Sequence, residues 1–189
     1  MTEAADPSQH YADLYLPEDE DPRVDVSPTG DERELLPGYL QWQRETFVLK
    51  CEGLDAEQLA RQSLPPSRIS LLGLIRHLSD VERYWFRDVM AGLDAPRRYR
   101  SPDDIDGEWT GALADPALVD EAWARWREEA AWGDRFIAEA TDFDVLSRRE
   151  RDGGRLNLRT VVLHLIEEYA RHIGHADILR EQIDGRVGQ

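Results

Sequence analysis

The sequence is poor in residues that several kinds of function require. Cys51 is the single cysteine among 189 residues, which excludes a disulfide framework and a cysteine-rich zinc site. Lys50 is the single lysine, and no apolar run reaches the roughly 18 residues of a transmembrane helix. The first residues, MTEAADPSQH, contain neither a basic region nor an apolar signal core. We therefore expect a soluble, cytoplasmic protein.

Positive charge is scarce relative to negative charge. The chain has 39 Asp and Glu against 23 Lys and Arg, which gives a formal net charge of −16. A nucleic-acid backbone or an anionic membrane repels such a protein, so neither is expected as a partner. Hydrophobic residues still make up 41 %, which is enough for one domain with a buried core. The six Trp residues are compatible with a homodimer.

The acidic residues are concentrated near the N-terminus. Residues 1–34 contain eleven Asp or Glu and two Arg, a net charge of −9. Because residues 17–22 are too polar to be buried, we expect residues 1–30 to form an extended or disordered arm. Apolar residues of this arm could still anchor part of it to a domain formed by residues 31–189: Tyr11, Leu14, Tyr15 and Leu16.

Four amphipathic helices are predicted after the arm. Apolar residues at helical spacing place them at about residues 31–52, 67–92, 115–140 and 157–183. Ser67 or Ser70 before the second helix, and Asp115 with Pro116 before the third, are typical helix starts. This pattern predicts an all-α fold, an antiparallel four-helix bundle. Residues 93–114, between the second and third helices, predict a long loop that could cover a site.

Histidines on the apolar helices are the main candidates for a functional site. His164, Glu168 and His172 are spaced four residues apart, so neighbours in this series can share one cation. His164 and His172 are about 12 Å apart along the axis, too far for both to bind the same ion. A metal site would therefore use Glu168 with one of them, and His77 on a facing helix is the obvious third ligand. His175 could face the same cavity.

Simpler interpretations of these residues stay open at this point. His77 could be a buried core histidine, and the series from His164 to His172 could be a solvated stripe of side-chain pairs. Two imidazoles and one carboxylate would suit a catalytic divalent ion such as zinc. The run at residues 148–151, RRER, is typical of a solvated loop, with an acidic ligand as the alternative.

Two segments resemble a known family. Residues 71–86, LLGLIRHLSDVERYWF, resemble the second helix of DinB-like proteins, and residues 164–177, HLIEEYARHIGHAD, resemble their last helix. The resemblance implies a four-helix bundle that holds a divalent metal, zinc or alternatively nickel. Glu168-x-x-x-His172 is similar to the branch that includes mycothiol-dependent maleylpyruvate isomerase and mycothiol S-transferases. The implied ligands are His77, Glu168 and His172, with His164 and His175 beside the ligands or lining the cavity.

The same resemblance implies a function that uses a small thiol. We expect a metal-dependent S-transferase that joins mycothiol to a small electrophile, in detoxification or stress response. The alternatives are a thiol-dependent isomerase, a bundle that binds a metal or ligand without catalysis, and a helical interaction protein whose histidines are merely buried.

Overall fold

The computed structural model describes residues 15–151 and 153–188. Within these residues the chain forms six α-helices, one π-helical extension and no β-strand. Caps explain where the long helices begin, because the side chains of Asp31, Ser70, Asp115 and Asn157 each accept a backbone N–H of the first turn. The helices are α1 (Glu32–Cys51), α2 (Ala56–Ala60), α3 (Leu71–Glu82), α4 (Gly107–Thr110), α5 (Pro116–Glu139) and α6 (Leu158–Asp184).

The predicted all-α bundle of four long helices is confirmed, and the contacts define how the helices run. α1 and α6 are parallel neighbours, since Glu32 pairs with Arg159 where both helices start. Near their other ends, Lys50 pairs with Asp177 at 2.9 Å. α3 continues directly into the π-helical segment Arg83–Met90.

α3 and α5 form the second parallel pair. Arg83 pairs with Glu129 at 3.0 Å, and three residues further along, Phe86 contacts Phe136. α6 runs opposite to α3, because it places His172 beside His77 and His164 beside Trp85. The bundle is thus antiparallel between these pairs and parallel within each.

This arrangement explains the long loop between the second and third long helices. Since α3 and α5 point the same way, the chain must return along α3, which with its extension is about 30 Å long. Residues 93–114, called the crossing loop below, make this return and include the short helix α4. The predicted loop is therefore confirmed, and the connectivity requires its length.

A polar network crosses the bundle core. Arg44 donates from Nε and Nη2 to both carboxylate oxygens of Glu82, at 2.7 and 2.8 Å. The Tyr169 hydroxyl donates to Glu82 and accepts the indole N–H of Trp126. Arg44 and Glu82 are almost fully buried, so this network fixes the relative positions of α1, α3, α5 and α6. Apolar side chains pack around it in one continuous cluster.

Residues 15–30 are irregular in backbone, and a few of their side chains contact the bundle while most are exposed. The buried Tyr15 ring packs between Lys50 and Arg186, at 4.0 and 3.8 Å from the ring centre. Arg23 stacks over Trp42. Residues 1–14 of the expected arm, including Tyr11 and Leu14, lie outside the described residues, and the boundary at residue 30 stays a prediction.

None of the helices in the described part of the chain combines the length and apolar composition that crossing a membrane requires.

Candidate metal centre

His77 lies on α3 with its ring turned toward α6. Its side chain is 17 % exposed, and its Nε2 lies 3.8 Å from Oε2 of Glu168. α3 is buried along almost its whole length, which holds the ring in a fixed position. The histidine therefore lies at the edge of the core, with a small part of its side chain exposed to solvent.

Glu168 and His172 lie one turn apart on α6, so their side chains point to the same side. Nε2 of His172 lies 3.3 Å from the Glu168 oxygen that faces His77. The ring centroids of His77 and His172 are 4.6 Å apart. One ligand atom from each of the three residues lies within 4.8 Å of the other two. The structure thus brings together the three residues that the sequence resemblance implied as ligands.

His164 and His175 contact this cluster from outside it. Nε2 of His164 lies 3.3 Å from the other oxygen of Glu168, Oε1, and the His164 ring packs edge-on against Trp85. Nδ1 of His175 lies 3.3 Å from Nδ1 of His172. Each of these two histidines therefore orients one residue of the cluster.

Glu108 also reaches the cluster, although the sequence did not single it out. It lies on α4 in the crossing loop, it is buried, and its Oε1 lies 3.2 Å from Nδ1 of His77. Its other oxygen is buried without a hydrogen-bond partner among the described residues. The crossing loop carries several acidic residues, and only the path of the folded loop selects this one.

The crossing loop is held in place by side chains of α3. Arg76 donates to the carbonyl oxygens of Gly107 and Gly111, at 2.9 and 2.8 Å. The buried carboxylate of Asp80 accepts the backbone N–H groups of Arg98 and Tyr99. The helix that carries His77 therefore also positions the loop that carries Glu108.

Two tryptophans flank the cluster. Trp109 stacks on the His77 ring with 5.6 Å between ring centroids, and Trp85 contacts His164 at 4.7 Å. The indole of Trp109 lies directly over Gly73, where an added Cβ would meet a ring carbon at 2.6 Å. A larger residue than Gly73 would therefore displace the indole from the site.

Charge is balanced within the cluster by hydrogen bonding. Burial on its own would lower the pKa of His77, but the hydrogen bond to Glu108 and the negative charge of the nearby Glu168 raise this pKa to about 9. The contact with His172 and the positive charge of His77 hold the pKa of Glu168 well below its usual range, despite burial. A cation that binds here must displace the proton on His77 and finds a carboxylate already ionised.

The donor set and its spacing fit a divalent transition-metal ion. In a tetrahedral zinc site with bonds of about 2.0–2.1 Å, neighbouring ligand atoms lie about 3.4 Å apart. The observed distances from Oε2 of Glu168 are 3.3 Å to Nε2 of His172 and 3.8 Å to Nε2 of His77. Nε2 of His77 is buried and has no hydrogen-bond partner among the described residues. Three protein ligands would leave one coordination position for a substrate.

The bundle, with a histidine on its second long helix and Glu-x-x-x-His on its last, defines a DinB-like protein. The chain belongs to the mycothiol S-transferase family, since the family model described as mycothiol-S-transferase matches residues 35–185. This match extends from the first turn of α1 to the residue that caps α6, so it includes every residue of the cluster. A search of curated proteins found no match to the chain.

Proposed function

We propose that this protein is a metal-dependent S-transferase that joins mycothiol to a small electrophile. The observation that carries the proposal is the convergence of His77, Glu168 and His172 within 4.8 Å, in a member of the mycothiol S-transferase family. In the reaction, the thiol loses its proton and its sulfur forms a bond to an electrophilic carbon. The proton returns to the product in an addition, and it leaves with the displaced group in a substitution.

The three residues would hold a divalent ion, zinc or nickel. When bound, this ion supplies positive charge that lowers the pKa of a thiol, so that a thiolate is present at neutral pH. Zinc fits the mixed nitrogen and oxygen donor set well.

The neighbouring residues would orient the ligands. A proton on Nδ1 of His77 donates to Glu108 and leaves the Nε2 lone pair directed into the cluster. His175 accepts from Nδ1 of His172 in the same way, and His164 holds the second oxygen of Glu168. Trp109 and Trp85 cover the sides of the cluster and reduce the access of water.

Two adjacent glutamates provide a matched test. Glu168 faces the histidines, whereas Glu167 is 63 % exposed and pairs with Arg171. We expect purified wild-type protein to contain a stoichiometric divalent ion and to consume mycothiol together with a generic electrophile. Glu168→Gln should lose both the ion and the turnover, and Glu167→Gln should keep both. His172→Ala should abolish turnover, and His77→Ala should lose the metal.

The proposal fails if metal-loaded wild-type protein consumes no thiol with any of several electrophiles. Wild-type protein that contains no metal as purified would favour the interaction protein, whose histidines are buried polar residues. If the protein holds metal without turnover, a non-catalytic metal-binding bundle is favoured, in which His164 or His175 would close the open coordination position.

A thiol-dependent isomerase differs in a measurable way from a transferase. An isomerase would convert its substrate while the thiol concentration stays constant, because the thiol is released at the end of each cycle. A transferase consumes one thiol for each electrophile. Titration of free thiol during turnover therefore separates the two activities. The homodimer, the cytoplasmic location and the role in detoxification or stress response stay predictions.

A further inference from the structure

Two arginine-rich segments that are distant in sequence meet at a cavity that Tyr84, Trp85 and His164 connect to the metal cluster. The crossing loop contributes Arg97 and Arg100, and the segment before α6 contributes Arg151. Together with Pro96, Pro102 and Ile105 they line a cavity of about 550 Å³, called the arginine cavity below. The reaction proposed above assigns no role to this cavity.

The cavity is positively charged on a chain whose net charge is −16. Its described lining contains three arginines and no carboxylate. Arg98, which lies between the two loop arginines, is paired with the buried Glu129 at 2.6 Å. No salt bridge among the described residues involves Arg97 or Arg100, and Arg97 acts on the buried carboxylate of Asp80 only at longer range. These two guanidinium groups are therefore the ones available to an anion.

Aromatic contacts connect the cavity to the metal cluster. The guanidinium of Arg97 stacks over Tyr84 at 4.7 Å, and Arg151 donates to the Tyr84 hydroxyl. Tyr84 contacts Trp85, and Trp85 contacts His164, which hydrogen-bonds Glu168. The crossing loop lines the cavity with Ile105, and three residues later its Glu108 contacts His77.

We propose that the arginine cavity binds a carboxylate on the electrophile while its reactive carbon faces the metal cluster. This inference rests on the transferase function proposed above and specifies its substrate class: small organic acids with an activated carbon several bonds from the carboxylate. Guanidinium groups match the geometry of a carboxylate with paired N–H donors. Ile105 and the two prolines provide apolar contact for the carbon chain between the two ends.

A matched pair of electrophiles tests this assignment. 4-(Chloroacetamido)benzoic acid and its methyl ester share one reactive carbon, from which the mycothiol sulfur displaces chloride while the thiol proton is released. We expect wild-type protein to have a higher kcat/KM for the acid than for the ester. Arg97→Gln with Arg100→Gln should lower the acid-to-ester ratio about five- to tenfold, since two partly exposed ion pairs are removed.

A control variant separates the cavity from net charge. Arg61→Gln with Arg135→Gln removes the same two charges at exposed positions outside the cavity, and should leave the ratio unchanged. A ratio that is equal in wild type and the cavity variant, or that falls equally in the control, overturns the inference. Circular dichroism of both variants verifies that they are folded.

A binding measurement keeps the inference testable if no turnover is found. The unreactive 4-acetamidobenzoate should change the tryptophan fluorescence of wild-type protein, because the Trp85 ring lies 5.7 Å from the guanidinium of Arg151, which lines the cavity. The cavity variant should lose this response. If wild-type protein binds 4-acetamidobenzoate but shows no turnover, the transferase function is refuted and the assignment of the cavity stands. Binding that survives in the cavity variant, or inorganic phosphate that binds more tightly than the carboxylate, overturns the assignment.

Discussion

Replacing Glu108 by Gln is expected to weaken metal binding without changing the shape of the site. Glu108 is buried, and its Oε1 lies 3.2 Å from Nδ1 of His77. Glutamine has almost the same size and can still accept the Nδ1 proton through its carbonyl oxygen, so His77 should keep its orientation. What is lost is the negative charge that makes the imidazole a more basic ligand.

The expected loss of metal affinity is about 10- to 100-fold. Substitutions of residues that hydrogen-bond a ligating histidine have effects of this size, which correspond to about 1.4–2.7 kcal/mol. The hydrogen bond to Glu108 is the first of the contacts that raise the pKa of His77 to about 9, against the opposing effect of burial. The variant should therefore also bind its metal with a weaker dependence on pH, because less proton is displaced from His77.

Competition against a chelator of known zinc affinity measures both effects. Wild-type protein, Glu108→Gln and the control Glu167→Gln are titrated at pH 6.5 and at pH 8.5. An affinity for Glu108→Gln within twofold of wild type at both pH values would refute the role assigned to this residue. The control should bind as wild type does, because Glu167 points to solvent.

Three further predictions concern the fold around the site. Arg44→Met should lower the free energy of unfolding, measured with urea, by about 3–5 kcal/mol, because Glu82 is left buried without its cation; an effect below 1 kcal/mol would contradict this. Gly133→Ala should lower thermal stability by about 1–3 kcal/mol, since its Cβ would lie 2.6 Å from the Phe86 ring. If Gly133→Ala unfolded at the same temperature as wild-type protein, the Phe86 ring would have room to move aside and this reasoning would be wrong. The free energy of unfolding of metal-free protein should fall by about 3 kcal/mol between pH 6.5 and 9. Because the pKa of His77 is raised in the folded state, its protonated ring stabilises the fold fully at low pH and is lost as the pH rises. If the urea concentration at the unfolding midpoint, measured in the presence of a chelator, did not fall over this range, the prediction would be contradicted.

The long helices could be predicted because their signals are local. Apolar spacing and the caps at Ser70 and Asp115 are properties of short segments, and the structure uses both caps. The spacing of Glu168 and His172 is equally local, since residues four apart on a helix always lie on one side. The short helix α2 was missed because five residues are too few for a periodic pattern, although Asp55 and Gln58 form a capping box there.

The direction of the helices and the role of Glu108 could not be predicted in this way. Both depend on the path of the crossing loop, which Arg76 and Asp80 fix through contacts with backbone groups distant in sequence. Nothing in the acidic residues of the loop distinguishes Glu108 from its neighbours. The π-helical segment Arg83–Met90 could not be predicted from the sequence either. Its hydrogen bonds span five residues, but the spacing of its apolar residues still fits an ordinary α-helix.

The return path of the crossing loop divides the protein into a constant part and an exchangeable part. The candidate ligands are on two long helices that the core holds rigidly. The loop begins after the segment Arg83–Met90, folds back along α3 and ends before α5, so a different loop of similar length that keeps Glu108 could be grafted there without altering α6. A transplanted loop would bring all of its side chains to this side of the cluster together. Variants confined to the rest of this loop would therefore change the surroundings of the cluster while the two helices that carry the candidate ligands stay in place.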